Sequence, residues 1–180
     1  KIIGIEIILK LAQSDVFKDY PPIAVYYTIS KTITEENNEA HYYKLKELIN
    51  EYLHLFTEKE AKEIFESALN YSVTKGNKGN VEFEKESFSL YKYGLSNNLL
   101  YNEKGMIPPT YFRNIVALSL KIGEYFWASN FVEEFGIYLE NDVRESNINF
   151  SLARVEWYKK DYKKVIEYLA YTEYTEVFQA

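Results

Sequence analysis

A short pattern that begins at residue 121 recurs near the C-terminus of this 180-residue chain. The segments Lys121-Ile-Gly-Glu-Tyr-Phe-Trp-Ala128 and Tyr158-Lys-Lys-Asp-Tyr-Lys-Lys-Val165 align on Tyr125 and Tyr162, which are 37 positions apart. A recurrence of this length is typical of stacked helix pairs, because one pair cannot cover its own apolar face. The sequence therefore predicts an all-α fold of antiparallel helix pairs arranged in a row.

The rest of the chain also favours helices. It contains 4 Pro and 7 Gly, too few turn residues for a fold of many short strands, and its 47% hydrophobic content is sufficient for a substantial core. Helix starts are indicated by the prolines at 21–22 and 108–109 and by the capping-box pattern of Thr57 and Glu60. Residues 75–80 are predicted to form a loop. One apolar stripe with helical spacing consists of Tyr42, Leu45, Leu48, Ile49, Tyr52, Leu55 and Phe56. We expect four to five helix pairs in a single repeat domain over residues 1–180.

The first ten residues, Lys1–Lys10, lack an initiating Met and read as the second helix of a pair whose first half is missing. Their apolar run is too short to cross a bilayer, and no other run approaches that length. We therefore expect a piece of a longer bacterial protein without membrane insertion. The expected location is the cytoplasm, and export stays open as an alternative.

Two segments resemble the tetratricopeptide repeat. In that family an aromatic residue begins the second helix, a small or aliphatic residue follows three positions later, and a bulky apolar residue comes four positions after that. In residues 145–175 these positions are filled by Tyr162, Val165 and Leu169. In residues 108–140 they are filled by Tyr125, Ala128 and Val132, and Gly123 lies near the family's turn glycine. The resemblance implies a right-handed superhelix, or solenoid, of helix pairs. The repeats are degenerate, because both lack the proline that commonly closes a repeat.

The resemblance also implies a binding surface, since the first helices of successive tetratricopeptide pairs line a concave groove. Guanidinium groups bind carboxylates in a bidentate manner, and aromatic side chains add apolar contact. The implied ligand is therefore a protein or peptide, with an acidic or C-terminal segment as one possibility. In the alternative interpretation, Trp157 packs on the preceding pair and the arginines are solvated. The residues placed on the groove are Arg113, Ala117, Leu120 and Lys121 in one unit and Phe150, Arg154, Trp157 and Tyr158 in the next.

No residue set in the sequence indicates catalysis, a metal site or a cofactor. Cys is absent, and the two histidines, His41 and His54, do not form a metal-binding helix motif. The Gly76–Gly79 segment lacks the Lys-Ser/Thr that a phosphate-binding loop requires. A net charge of −6 without a long basic stripe disfavours nucleic-acid binding.

These observations favour a non-enzymatic interaction scaffold. A second possibility is a regulatory sensor that binds a peptide and acts on an output domain outside residues 1–180. An enzyme would require a deep pocket with converging carboxylates or a histidine. A helical array or bundle without true repeats would show the same helical periodicity.

Overall fold

The computed structural model describes Lys10, Ser14 and residues 20–172, so the helix expected over residues 1–10 lies outside the described residues except for Lys10. Within the described residues the chain forms eight α-helices, two short 3₁₀ turns and no strand, which confirms the all-α prediction. The chain divides into two compact units, Lys1–Leu90 and Tyr91–Ala180. The helices are α1 (Pro21–Thr34), α2 (Ala40–Tyr52), α3 (Glu58–Asn77), α4 (Val81–Ser96), α5 (Pro109–Lys121), α6 (Tyr125–Phe135), α7 (Asn141–Lys159) and α8 (Tyr162–Leu169).

In the first unit, α1 packs against α2 and α3, and α2 packs against α3. The fully buried ring of Tyr42 on α2 lies 5.3 Å from Tyr71 of α3 and 5.1 Å from Phe83 at the start of α4. The Tyr42 hydroxyl donates a hydrogen bond of 2.9 Å to Glu86, which also accepts one from Lys46. One buried aromatic residue therefore joins three helices, and its polar end has a partner.

Local signals in the first unit are partly confirmed. Thr57 and Glu60 form the predicted capping box, and α1 begins at Pro21 as expected. The apolar stripe is buried from Tyr42 to Ile49, but α2 ends at Tyr52 and Leu55 is 55% exposed in the 3₁₀ turn Leu53–Leu55. The expected continuation of the stripe to Leu55 is therefore wrong, because the helical register stops before it.

The loop expected over residues 75–80 is shorter than predicted. Helix α3 continues to Asn77, and Gly76 is buried in its last turn. A Cβ atom at Gly76 would lie 3.3 Å from the backbone nitrogen of Glu84 in α4. This glycine therefore permits a close approach of two helices, whereas a sequence pattern shows only a turn-forming residue.

In the second unit, α5 packs against α6 and α7, α6 packs against α7, and α7 packs against α8. Phe112 of α5 and Phe131 of α6 are buried with their ring centroids 4.9 Å apart. The Arg144 guanidinium donates hydrogen bonds of 2.8–3.1 Å to the carbonyls of Ile137 and Leu139, which follow the end of α6. Arg144 therefore satisfies carbonyl groups that the end of a helix leaves without partners.

The two turns at the 37-residue spacing share one backbone conformation. Gly123 between α5 and α6 has a φ of +87°, and Lys160 between α7 and α8 has a φ of +65°. In the first turn the N–H groups of Gly123 and Glu124 bond to carbonyls three and five residues back, and Lys160 and Asp161 repeat this pattern. Both helices therefore end in the left-handed motif that reverses the chain direction.

Candidate functional site

Helix α7 carries four of the residues that the sequence assigns to a binding surface. Phe150, Arg154, Trp157 and Tyr158 follow one another at spacings of four, three and one residues, so they share one side of the helix. The Arg154 guanidinium carbon lies 6.0 Å from the centroid of the Phe150 ring. Trp157 is 59% exposed and Tyr158 is 43% exposed.

Two further tyrosines extend this group from the neighbouring helices. The Tyr125 ring, at the start of α6, lies 5.6 Å from Tyr158, and the Tyr162 ring, at the start of α8, lies 5.4 Å from Trp157 at an angle of 72°. Both tyrosines are exposed. We use the term aromatic strip for the set formed by Phe150, Arg154, Trp157, Tyr158, Tyr125 and Tyr162. An exposed cluster of aromatic side chains of this kind is characteristic of a surface that contacts another molecule.

Arg154 is the one charged member of the aromatic strip. Its side chain is partly buried, and this burial lowers the pKa of the guanidinium, with a smaller opposing effect from Tyr158. Of the three arginines in the sequence, Arg113 donates to Asn147 and Arg144 donates to backbone carbonyls. Within the described residues, Arg154 has neither a hydrogen-bond acceptor nor a carboxylate partner. An anionic group brought by a ligand would supply that acceptor.

The four predicted residues of α5 lie in different surroundings, and Ala117 is half-buried. Nη1 of Arg113 lies 3.1 Å from Oδ1 of Asn147, a fully buried residue of α7, so Arg113 links α5 to α7. Leu120 is fully buried and belongs to the core of the second unit, where a ligand on the surface does not reach it. Lys121 is exposed at the C-terminal end of α5. The structure thus brings together the residues on α7 but does not add Leu120 to their surface.

Sequence reasoning missed Tyr125 and Tyr162 as surface residues. The repeat pattern identified them as anchors of the second helices, and anchors of this kind are expected to pack inside. In the structure both begin a helix directly after the left-handed turn, where the side chain lies at the end of the pair. The charged turn Lys159-Lys-Asp161 before Tyr162 is a sequence signal for this exposed position.

Elsewhere in the described part of the chain, no group of three or more His, Asp or Glu side chains is placed to hold a metal ion. His41 lies in the first turn of α2, with Nε2 2.6 Å from Oε2 of Glu35. The Glu35 carboxyl has a lowered pKa because Lys31 and His41 donate hydrogen bonds to it. Among the helices of residues 20–172, none combines the length and apolar character needed to cross a bilayer.

The chain was compared with protein-family models, with curated proteins and with solved structures, and none of the three comparisons gives a match.

Proposed function

We propose that this protein is a non-enzymatic scaffold of degenerate tetratricopeptide-like helix pairs that binds a peptide or protein segment along the aromatic strip. The observation that carries the proposal is the partly buried Arg154, which has no acceptor in the described residues and lies beside exposed Trp157 and Tyr158. Arginine and aromatic residues contribute most of the energy in many protein interfaces. The ligand that fits is a segment with a carboxylate next to an apolar side chain.

The helix contacts support the stacked architecture in this proposal. In each unit the first helix of a pair contacts its own partner and also the first helix of the following pair, as α1 contacts α3 and α5 contacts α7. The turns at Gly123 and Lys160 repeat at the spacing of the sequence pattern. Contacts between alternate helices are expected where pairs stack side by side and present their first helices on one surface.

A library of random peptides with free C-termini, selected against the immobilised protein, provides the test. The selected peptides are synthesised with a fluorophore, and their dissociation constants are measured by fluorescence anisotropy. We expect them to contain Asp, Glu or an essential C-terminal carboxylate beside an apolar residue. Arg154→Gln and Trp157→Ala should each weaken binding by roughly tenfold or more, which corresponds to about 1.4 kcal/mol.

Ile137→Ala is the matched control, because Ile137 is exposed, apolar and located after the C-terminal end of α6, whereas Tyr125 of the strip begins that helix. It should leave the affinity within about twofold of the unmodified protein. If the selection yields no binding peptides, or if the peptides bind both strip variants as tightly as the unmodified protein, the aromatic strip is not a peptide-binding site.

A further inference from the structure

The first unit has a groove between α1 and α3 with a volume of about 340 Å³. The residues on its α3 side recur at helical spacing over about three turns, so they form one stripe along the helix. Most of their side chains end in hydrogen-bond donors, while Ile33 of α1 contributes an apolar wall that is 70% exposed. The residues that line the groove include Ile33, Asn70, Tyr71, Thr74, Lys75 and Lys78.

Lys75 is the most buried cation of this groove, with a side chain that is 16% exposed. Its ammonium lies 5.5 Å from the centroid of the Tyr71 ring. Its nearest carboxylate oxygen, on Glu39, is 3.9 Å away, which is too long for a hydrogen bond. Within the described residues, the Lys75 ammonium therefore pairs with Glu39 only at ion-pair distance and makes no direct hydrogen bond, while its side chain lines the groove.

The other charged residues of the groove are Lys78 and Glu36. Lys78 is exposed and has no ion pair in the part of the chain that the structure describes. Glu36 lies beyond the end of α1, and its backbone carbonyl accepts a 2.7 Å hydrogen bond from the Tyr71 hydroxyl. The α3 stripe itself, from Asn70 to Lys78, contains two cations and no carboxylate. On a chain with a net charge of −6, this stripe is a local site of the opposite sign.

We propose that the groove between α1 and α3 binds an acidic polypeptide segment, whose carboxylates bond to Lys75 and Lys78 and whose apolar side chains contact Ile33 and Tyr71. This inference rests on the proposed function as a peptide-binding scaffold and adds a second contact surface, on the first unit, with its own ligand chemistry. Asn70 and Thr74 also line the groove, and their side chains supply donors for the backbone carbonyls of the segment.

The probe for this site is a short fluorescent peptide of alternating Glu and Leu, with a Lys-Leu peptide of equal length as the comparison. Binding is measured by anisotropy, and the contacted residues are located by amide chemical-shift changes in the labelled full chain. We expect the acidic peptide to shift the Asn70, Thr74 and Lys75 amides, and the basic peptide to leave them unchanged. The double variant Lys75→Gln, Lys78→Gln should weaken the acidic peptide by roughly tenfold.

The control is the double variant Lys44→Gln, Lys59→Gln, which removes two exposed lysines of the same unit outside the groove and changes the net charge equally. It should leave the affinity within about threefold of the unmodified protein. Lys75 and Lys78 also lie at the C-terminal end of α3, where positive charge is favourable, so urea unfolding separates lost stability from lost binding. Equal loss of affinity in both double variants would reduce the effect to general charge attraction and overturn the proposal.

The two proposals fail in different ways. If the acidic peptide shifts no groove amide while peptides from the random library still depend on Arg154 and Trp157, the α1–α3 site is refuted and the aromatic strip stands. If the groove amides shift but neither Arg154→Gln nor Trp157→Ala affects a selected peptide, the strip is refuted instead. A single-stranded oligonucleotide that displaces the acidic peptide would show a polyanion site without peptide preference, which also overturns the groove proposal.

Discussion

Replacing Lys160 by glycine should stabilise the second unit. Lys160 ends α7 with a φ of +65° and a ψ of 21°, a left-handed conformation that costs a residue with a Cβ atom about 1–2 kcal/mol. Its side chain is exposed and forms no hydrogen bond or ion pair within the described residues, so the substitution removes no polar interaction. Glycine loses roughly 0.5–1 kcal/mol more on folding because its unfolded chain is freer, and the lost charge at the helix end costs about 0.3 kcal/mol. The net expected gain is about 0.5 kcal/mol.

The equivalent position in the preceding pair provides the opposite experiment. Gly123 has a φ of +87°, and a Cβ atom added there would meet no atom within 4 Å. Gly123→Ala therefore adds backbone strain without a steric clash, and the reduced freedom of the unfolded chain offsets part of it, which leaves a destabilisation of about 0.5–1 kcal/mol. One substitution should relieve the strain of the left-handed conformation and the other should introduce it, so together they test the same conformation in two turns.

The assay uses the location of the tryptophans. The sequence contains two, Trp127 and Trp157, and both belong to the second unit. Urea unfolding followed by tryptophan fluorescence therefore reports on this unit, and the midpoint should rise for Lys160→Gly and fall for Gly123→Ala. Glu145→Gly, at an exposed position inside α7, is the control and should lower the midpoint because glycine disfavours helix interiors by about 1 kcal/mol. A lower midpoint for Lys160→Gly would refute the assignment of strain to this turn.

Three further predictions concern single side chains. Thr57→Ala should lower the stability of the first unit by about 1 kcal/mol in urea unfolding monitored by circular dichroism, because the capping box is lost. Tyr42→Phe should lower the unfolding free energy by about 1 kcal/mol in the same assay, because it removes a buried hydroxyl donor to Glu86. Tyr43→Phe, which removes a hydroxyl at the surface, should lower it less. Equal losses of stability in the two variants would contradict this. Burial raises the pKa of Tyr91 to about 12. The neutral, buried Tyr91 side chain therefore contributes its full stability below about pH 10, and this stability is lost as the pH rises through 12. An absorbance titration should show one late-ionising tyrosine fewer in Tyr91→Phe.

The sequence was sufficient for the class of fold and for the residues that begin several helices. Periodic apolar positions and proline-led starts depend on local chemistry, and the capping box of Thr57 and Glu60 forms as the pattern predicts. The end of α2 was not predictable in this way. Leu55 has the spacing of the buried stripe, but the chain leaves the α-helical register after Tyr52, and the residue becomes exposed. Spacing gives the face of a residue only as long as the helix continues.

The candidate site was predictable on one helix and not across helices. Phe150, Arg154, Trp157 and Tyr158 share a side of α7 for reasons that helical geometry alone supplies. Long-range contacts decide the rest. Leu120 is buried by packing that its own spacing does not show, and the Lys75 environment depends on Tyr71 and on residues of the α1–α2 turn. The sequence pattern placed Lys75 in a loop, because Gly76 suggests the end of a helix. In the structure the helix continues past that point to Asn77 and carries Lys75.

The aromatic side chains of the two units differ in burial, and this difference separates a role in stability from a role in binding. Tyr42 is fully buried, and its hydroxyl donates a hydrogen bond to Glu86 within the protein. Burial of its ring therefore contributes to folding. Trp157 and Tyr162 touch each other but keep more than half of their surface in water, 59% and 53%, and burial that incomplete contributes little to folding. Trp157→Ala should therefore change the unfolding free energy by less than about 1 kcal/mol while weakening a bound peptide by a larger amount. If it unfolds the second unit instead, the aromatic strip is part of the core, and its role as a binding surface is lost.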